Sequence, residues 1–290
     1  MQSRFTYFTG ACVAVGVAAM LSSAVAAQGR GGRGQGAGTG EKKPLVEAIG
    51  TTEVPPLPPG GPAPRMSDGK PDLSGIWFSG VIGRPSAWSR TRNERVVEEP
   101  VPFKPEIAAR LKSLTRAELE ALDPTVNCLP RGVPGMFVMN PHPFELVTKP
   151  NEFIQLVEAG NTWRKIWTDK RPWPKYPDPL FNGNSSAWWE GDTLVIDSIG
   201  FDERTWVAGN GWSHGDKLHV TERIRRPSKN YLEYQFSVED PDVLTKPWTS
   251  GWRKFSLAQT DTNLLENYCT NEQNSDQFRQ IVEQENKSSK

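Results

Sequence analysis

The chain is short of the residues that most enzymes use. It holds three cysteines and three histidines in 290 residues. No Gly-x-Ser-x-Gly stretch occurs, so the strained turn that exposes a serine nucleophile is not expected. A glycine-rich phosphate loop and a dinucleotide fingerprint are also missing, which argues against the common nucleotide-binding classes. Charge of one sign is lacking too, since 34 basic residues balance 34 acidic ones. Without an overall field, neither nucleic acid nor an anionic membrane is an expected partner. The histidines are His142, His214 and His219, with no His-x-x-x-His spacing among them. A metal site from His214, His219 and one carboxylate is conceivable by composition, but no spacing dedicates it. No metal and no cofactor are therefore expected. His142, within Asn140-Pro141-His142-Pro143, reads as a turn residue.

The front of the chain carries the three parts of a secretory signal peptide over residues 1–27. Arg4 supplies the positive charge, Phe5 to Leu21 is mostly apolar, and Ala24-Val25-Ala26 is a small-x-small cleavage site. The rival reading is a membrane anchor, but the apolar run falls short of the roughly 20 residues a span needs. Cys12 lies inside the apolar region, so a lipoprotein is not expected. No later stretch is apolar enough to cross a bilayer. These features place the protein in the periplasm or outside the cell. Residues 28–70 are rich in glycine, proline and small polar residues. Such composition cannot offset chain entropy and predicts a disordered tether. Residues 71–274 form one domain of ordinary length, and residues 275–290 a polar tail.

Signal removal leaves Cys128 and Cys269. In an oxidising compartment two cysteines most simply form one disulfide. Two free thiols or a shared metal site are the alternatives.

The folded part is strand-like. Pro71 to Trp77 is an opening strand whose Gly75-Ile76-Trp77 resembles the start of lipocalin-type barrels, where the tryptophan plugs one end. Lys104 to Asp123 is the convincing helical stretch, with Pro105 suited to a first turn. Thr115 and Glu118 form a capping box that restarts the helix. From Phe144 onward, short apolar runs alternate with turns at Pro150-Asn151, Gly160-Asn161, Gly191-Asp192 and Pro227 to Asn230. Pro172 to Asn184 reads as an irregular loop, and Leu264 to Tyr268 as a last strand. Such strands argue for an antiparallel meander. The expected fold is mainly β, an antiparallel lipocalin-like (calycin-type) barrel with one or two short accessory helices.

The densest cluster of aromatic and acidic side chains is Ser186 to Asp202, which contains Trp188-Trp189-Glu190-Gly191-Asp192. Side chains on a strand alternate between faces. In Leu218 to Ile224 the apolar face carries Leu218, Val220, Glu222 and Ile224; the other carries His219, Thr221 and Arg223. Glu222 is therefore expected inside, where a carboxylate must be paired or have a raised pKa. It is a candidate acid/base or ligand anchor, with a structural ion pair to Arg164 as the alternative. Leu232, Tyr234, Phe236 and Val238 share one face of the next strand. Eleven tryptophans are present. Trp77, Trp167, Trp189, Phe201, Trp206 and Trp248 are the rings available either to line an aromatic cavity or to fill the core.

Asp72-Leu73-Ser74-Gly75-Ile76-Trp77, Cys128-Leu129-Pro130-Arg131-Gly132-Val133-Pro134, Pro143-Phe144-Glu145, Trp189 to Val195, Gly200-Phe201, Leu218 to Arg223, Glu239-Asp240-Pro241 and Lys246-Pro247-Trp248 occur in this order. In this they resemble a large family of secreted bacterial proteins of unknown function. The resemblance spans nearly the whole folded part and implies a lipocalin-like barrel. It implies no activity. That family often places a histidine after the Arg-Pro of the loop where this chain has Trp173, so a role for such a histidine does not extend to it. The leading expectation is a barrel that holds a small apolar or aromatic molecule. Trp77, Trp189 and Trp248 would stack on it, with Arg164 and Glu222 orienting polar groups. The second is a cofactor-independent hydrolase, lyase or isomerase using Glu222 with His214 or His219. The third is a structural or interaction module.

Overall fold

The structure is a computed structural model that describes residues 57–79, 98–139 and 142–269. The stretch read as a signal peptide, the expected linker up to residue 56 and the expected polar tail from 275 lie outside the described residues.

Among the described residues, ten strands form a single antiparallel sheet. They are β1 (Gly75–Ser79), β2 (Phe144–Lys149), β3 (Glu152–Val157), β4 (Thr162–Trp167), β5 (Asn184–Glu190), β6 (Thr193–Ile199), β7 (His219–Ser228), β8 (Tyr231–Glu239), β9 (Trp248–Thr249) and β10 (Arg253–Leu257). Three helices accompany them: α1 (Pro105–Ser113), α2 (Arg116–Leu122) and α3 (Gly135–Val138). The main sheet runs β4-β3-β2-β1-β10-β8-β7-β6-β5, with the short β9 on β8. It curls until β4 and β5 lie side by side. The result is a nearly closed, lipocalin-like barrel of nine strands.

Strand parity fixes the geometry of the seam. Every neighbouring pair along the sheet is antiparallel. Directions alternate over nine strands, so the two edge strands point the same way. A parallel pair needs a crossover rather than a hairpin. The chain returns from the end of β4 to the start of β5 through residues 168–183, which run along the seam. Lys170 N–H donates to Ala187 O at 2.8 Å, and Asn182 Nδ2 donates to Trp163 O at 3.4 Å.

Both ends are closed. At one end Trp77 is fully buried and donates from Nε1 to Leu73 O at 3.1 Å. The Arg226 guanidinium lies 4.9 Å from the Trp77 ring centre and donates to the Asp72 and Ser74 carbonyls. Burial lowers the Arg226 pKa, opposed by Asp72. At the other end α3 inserts Phe137, which stacks on Tyr234 at 4.2 Å and meets Phe144 edge-on at 5.0 Å. Above it lie Val207, Trp212 and the two longer helices. Leu111, Leu114 and Leu119 close over Gly211, where a Cβ would come within 3.0 Å of Leu119. Gly211 also has a φ of +78°, so both space and backbone require glycine there.

The hairpins form where alternation and turn residues predict them. Thr115 and Glu118 make the reciprocal capping box that splits the helical stretch in two. Four details differ. Helices number three, because the short α3 has no periodic pattern long enough to read. The run before Gly191 is a full strand, β5, whose start is hidden by small polar residues. Leu264 to Tyr268 is not a strand: Leu265 N–H donates to Glu158 Oε2 at 2.9 Å, so a side chain and not a ladder holds it. Residues 57–70 are docked rather than free. Lys229 and Asn230 N–H donate to Gly61 O and Pro59 O, and Arg65 pairs with Asp192 at 2.7 Å.

Cys128 and Cys269 are bridged, with Cα atoms 5.3 Å apart and a sequence separation of 141. The bridge ties the C-terminal strap to the turn after α2. Closing so long a loop contributes about 4–5 kcal/mol in the chain-entropy model. Reduction, or Cys269→Ser, is expected to lower the unfolding midpoint while far-ultraviolet circular dichroism stays β-type. Two thiols alkylated in the folded, unreduced protein would contradict the bridge.

Candidate functional site

Parity puts Glu222 inside, as expected, and the structure decides its company. Arg164 on β4 donates from Nη1 to Glu222 Oε2 at 2.7 Å and from Nη2 to Oε1 at 2.8 Å. Its Nε donates to Gln155 Oε1 at 2.8 Å. Tyr234 Oη donates to Glu222 Oε1 at 3.0 Å. Burial and the Glu222 charge push the Tyr234 pKa well above the ordinary phenol value, which keeps it a donor. Phe137 packs beside the guanidinium at 5.9 Å. Glu222 is 0 % exposed and Arg164 6 %. Around this pair the barrel centre is therefore filled by side chains. The carboxylate is fully buried, and both of its oxygens are engaged as a structural ion-pair partner.

The pair also has a mechanical role. Arg164 stands on the edge strand β4, and Glu222 stands on β7, two strands in from the other edge. The forked bond therefore clamps the seam from within, where no backbone ladder joins the edges. Removing one member of such a pair strands a buried charge. Gln155 Nε2 is buried and has no hydrogen-bond partner among the described residues, so the polar core is not fully matched.

His219 is on the opposite face of β7 and stands on the outer wall. Its Nε2 lies 2.6 Å from Asp197 Oδ1, which also accepts from Thr221 Oγ1 at 2.9 Å. Trp173 from the seam loop meets the imidazole edge-on at 5.6 Å and donates from Nε1 to Asp197 O. The hydrogen bond to Asp197 raises the His219 pKa above 6.5, against some burial; Asp197 and Glu239 charges add to the rise. His214 is inside the cap, between Thr205 Oγ1 at 2.9 Å and Gly215 O at 2.8 Å. The three proposed catalytic groups therefore share no cavity.

The aromatic set also divides. Trp77 is an end plug. Trp189 is on the inner wall, partly buried against the core. Trp248 packs with Trp212 and Phe236 beneath the cap. Phe201 sits on Gly183 and His214. Trp167 faces outward, 37 % exposed, between Lys165 and Arg171. It does not line the interior, because β4 places Arg164 and Ile166 inward. Trp206 borders open space.

That space is a cleft of about 400 Å³ on the cap. Its walls come from Arg110 on α1, Ala121 and Leu122 on α2, the turn residues Pro124, Asn127 and Leu129, and the loop from Glu203 to Ser213, including Trp206. Two cationic side chains border it. Arg204 is closed on Asp202 by bonds of 2.8 and 2.7 Å, and that pairing holds Asp202 at about 2. Arg110 has no ion pair among the described residues. The sequence pattern singles out Trp206 but not its neighbours, because helix, turn and loop meet only in the folded chain.

Among the described residues, no three His, Cys, Asp or Glu side chains converge as a metal site. No helix among them is long and apolar enough to cross a membrane. Comparisons with protein-family models, curated proteins and solved structures find no match for this chain.

Glu222→Gln is expected to cost about 3–5 kcal/mol in denaturant unfolding. The double change Glu222→Leu with Arg164→Met should recover most of it, since an apolar pair leaves no stranded charge. A single change as mild as the double would show that the pair is not the seam clamp. The raised His219 pKa stabilises the fold fully below pH 6.5, and that increment fades as pH rises through the raised value. The gap in thermal midpoint between wild type and His219→Gln should therefore be widest at acid pH and narrow on the alkaline side. A gap independent of pH would refute the coupling.

Proposed function

We propose that this protein is an exported small-molecule-binding module and that its site is the cap cleft, not the barrel interior. The observation that carries this reading is the cleft itself. Its volume, about 400 Å³, is within the range of small-ligand sites, which pair apolar walls with a few polar groups. Leu122, Pro124, Leu129 and Trp206 supply the apolar walls; Asn127 and Ser213 supply polar atoms. A bound molecule of one or two fused rings would lie against the Trp206 indole, where aromatic contact adds to burial. The barrel then acts as a rigid scaffold, with loops and short helices carrying the site. Export rests on the signal-peptide pattern at residues 1–27, and resemblance to secreted bacterial proteins agrees with it. Catalysis by Glu222 with His214 or His219 loses its footing, because those groups occupy the core, the cap and the outer wall.

The neutral fluorophore N-phenyl-1-naphthylamine tests the reading. Binding should raise probe emission and quench tryptophan. Ala121→Trp, on an exposed lining position, should fill the cleft and weaken binding about tenfold, or about 1.4 kcal/mol. The interior double variant at Arg164 and Glu222 should leave binding unchanged. Loss of binding in the interior variant, with none from the cleft filler, would move the site into the barrel.

A further inference from the structure

We infer that the cleft takes a neutral molecule bearing a carbonyl oxygen on an aromatic body, and that the Trp206 indole N–H is the donor that selects it. This rests on the cleft reading and adds the ligand's polar group. Trp206 is 7 % exposed and lines the cleft. Its chain neighbours turn inward: Thr205 Oγ1 meets His214 Nε2 at 2.9 Å, and Val207 belongs to the core cluster. Trp206 stands outside that cluster. Its indole is therefore buried among the cap walls and not in the barrel.

A buried tryptophan N–H usually finds an acceptor. Trp77 donates to Leu73 O at 3.1 Å and Trp248 to Glu99 O at 2.8 Å. Trp212 Nε1 is sealed in without a partner among the described residues. Trp206 Nε1 also has no partner among them, yet it is not sealed. The open space that this ring borders is the cleft, so a molecule seated there can supply the acceptor. The rest of the lining says which acceptor. Arg204 is closed on Asp202, and Arg110 and Glu203 line the cleft with opposite signs, so neither sign of ligand charge is favoured. Asn127 spends its amide N–H groups on Ala121 O and Asp123 O. The neutral donors left on the lining are the Trp206 N–H and the Ser213 hydroxyl, which has no hydrogen bond among the described residues. A carbonyl oxygen fits that pair of donors, because it accepts twice and brings no proton that needs a partner of its own.

Two fluorophores share one naphthalene body and differ in the carbonyl: 6-propionyl-2-(dimethylamino)naphthalene and 6-propyl-2-(dimethylamino)naphthalene. Without a donor in the cleft the ketone would lose its water for nothing, and the propyl compound would bind better. With the Trp206 N–H in place the ketone should bind about fivefold more tightly, the yield of one neutral hydrogen bond. Replacing Trp206 by β-(3-benzothienyl)alanine keeps the bicyclic shape and removes the N–H. It should abolish the preference and leave propyl-probe affinity unchanged. Infrared difference spectra of the isotope-labelled ketone bound to the unaltered protein should show its carbonyl stretch lowered from the value in an apolar solvent. That measurement needs no variant, so it stands even where the altered chain fails to fold. A preference that survives loss of the N–H would overturn the role of Trp206. Equal or tighter binding of the propyl compound, with an unshifted stretch, would overturn the carbonyl selection, and the cleft would stand as long as Ala121→Trp weakens both probes. If Ala121→Trp changes neither, the cleft reading itself falls.

Discussion

The bidentate bond between Arg164 and Glu222 is the constraint around which the barrel is organised. Two ions taken out of water cost several kcal/mol each, and only near-ideal geometry with further hydrogen bonds offsets that. Here Gln155 and Tyr234 supply those bonds. The arrangement holds β3, β4, β7 and β8 in mutual register, because a one-residue slip would turn each group to the other face. It also fills the volume in which a lipocalin-like barrel would hold a ligand. Phe137, delivered by α3, completes the filling.

The clamp matters because no ladder joins the two edge strands among the described residues. Nine alternating strands leave two parallel edges, and the seam between them has no ladder. The loop over residues 168–183 covers it outside, and the ion pair bridges it inside. That loop also brings Trp173 to His219 and Asp197. The His219–Asp197 pair on the outer wall joins the neighbouring strands β7 and β6, and the loop packs over it. The proposed site lies on the cap, where α1, α2, the disulfide-bonded turn and the loop around Trp206 meet. The disulfide anchors the turn that forms one wall of the cleft, so the site depends on the strap from the far end of the chain.

Much of this was legible residue by residue. Period-two alternation placed Glu222 inside and His219 outside, and Arg164 was one instance of an inward arginine that could pair with it. Glycine and asparagine turns located the hairpins, and Thr115 with Glu118 located the break between helices. Other features were hidden. Gln155 interrupts an apolar stripe on β3, which is a readable sign of an inward polar group, but its partner is on another strand. Trp167 looks like any other tryptophan until the parity of β4 is set by Arg164 and Ile166. The four-residue α3 is too short for periodicity, although it brings Phe137 into the core. The cleft has no signature at all, since its lining spans residues 110 to 213.

The sequence by itself determined the local choices: which segments extend, where they turn, which face of each strand is apolar, and that two cysteines remain to pair. Those follow from backbone sterics and the burial of one face, which act between near neighbours. Tertiary structure alone decided which side chains fill the barrel around Glu222 and which charges meet. These depend on distances between residues remote in the chain, and such distances exist only once nine strands have been wrapped around one another.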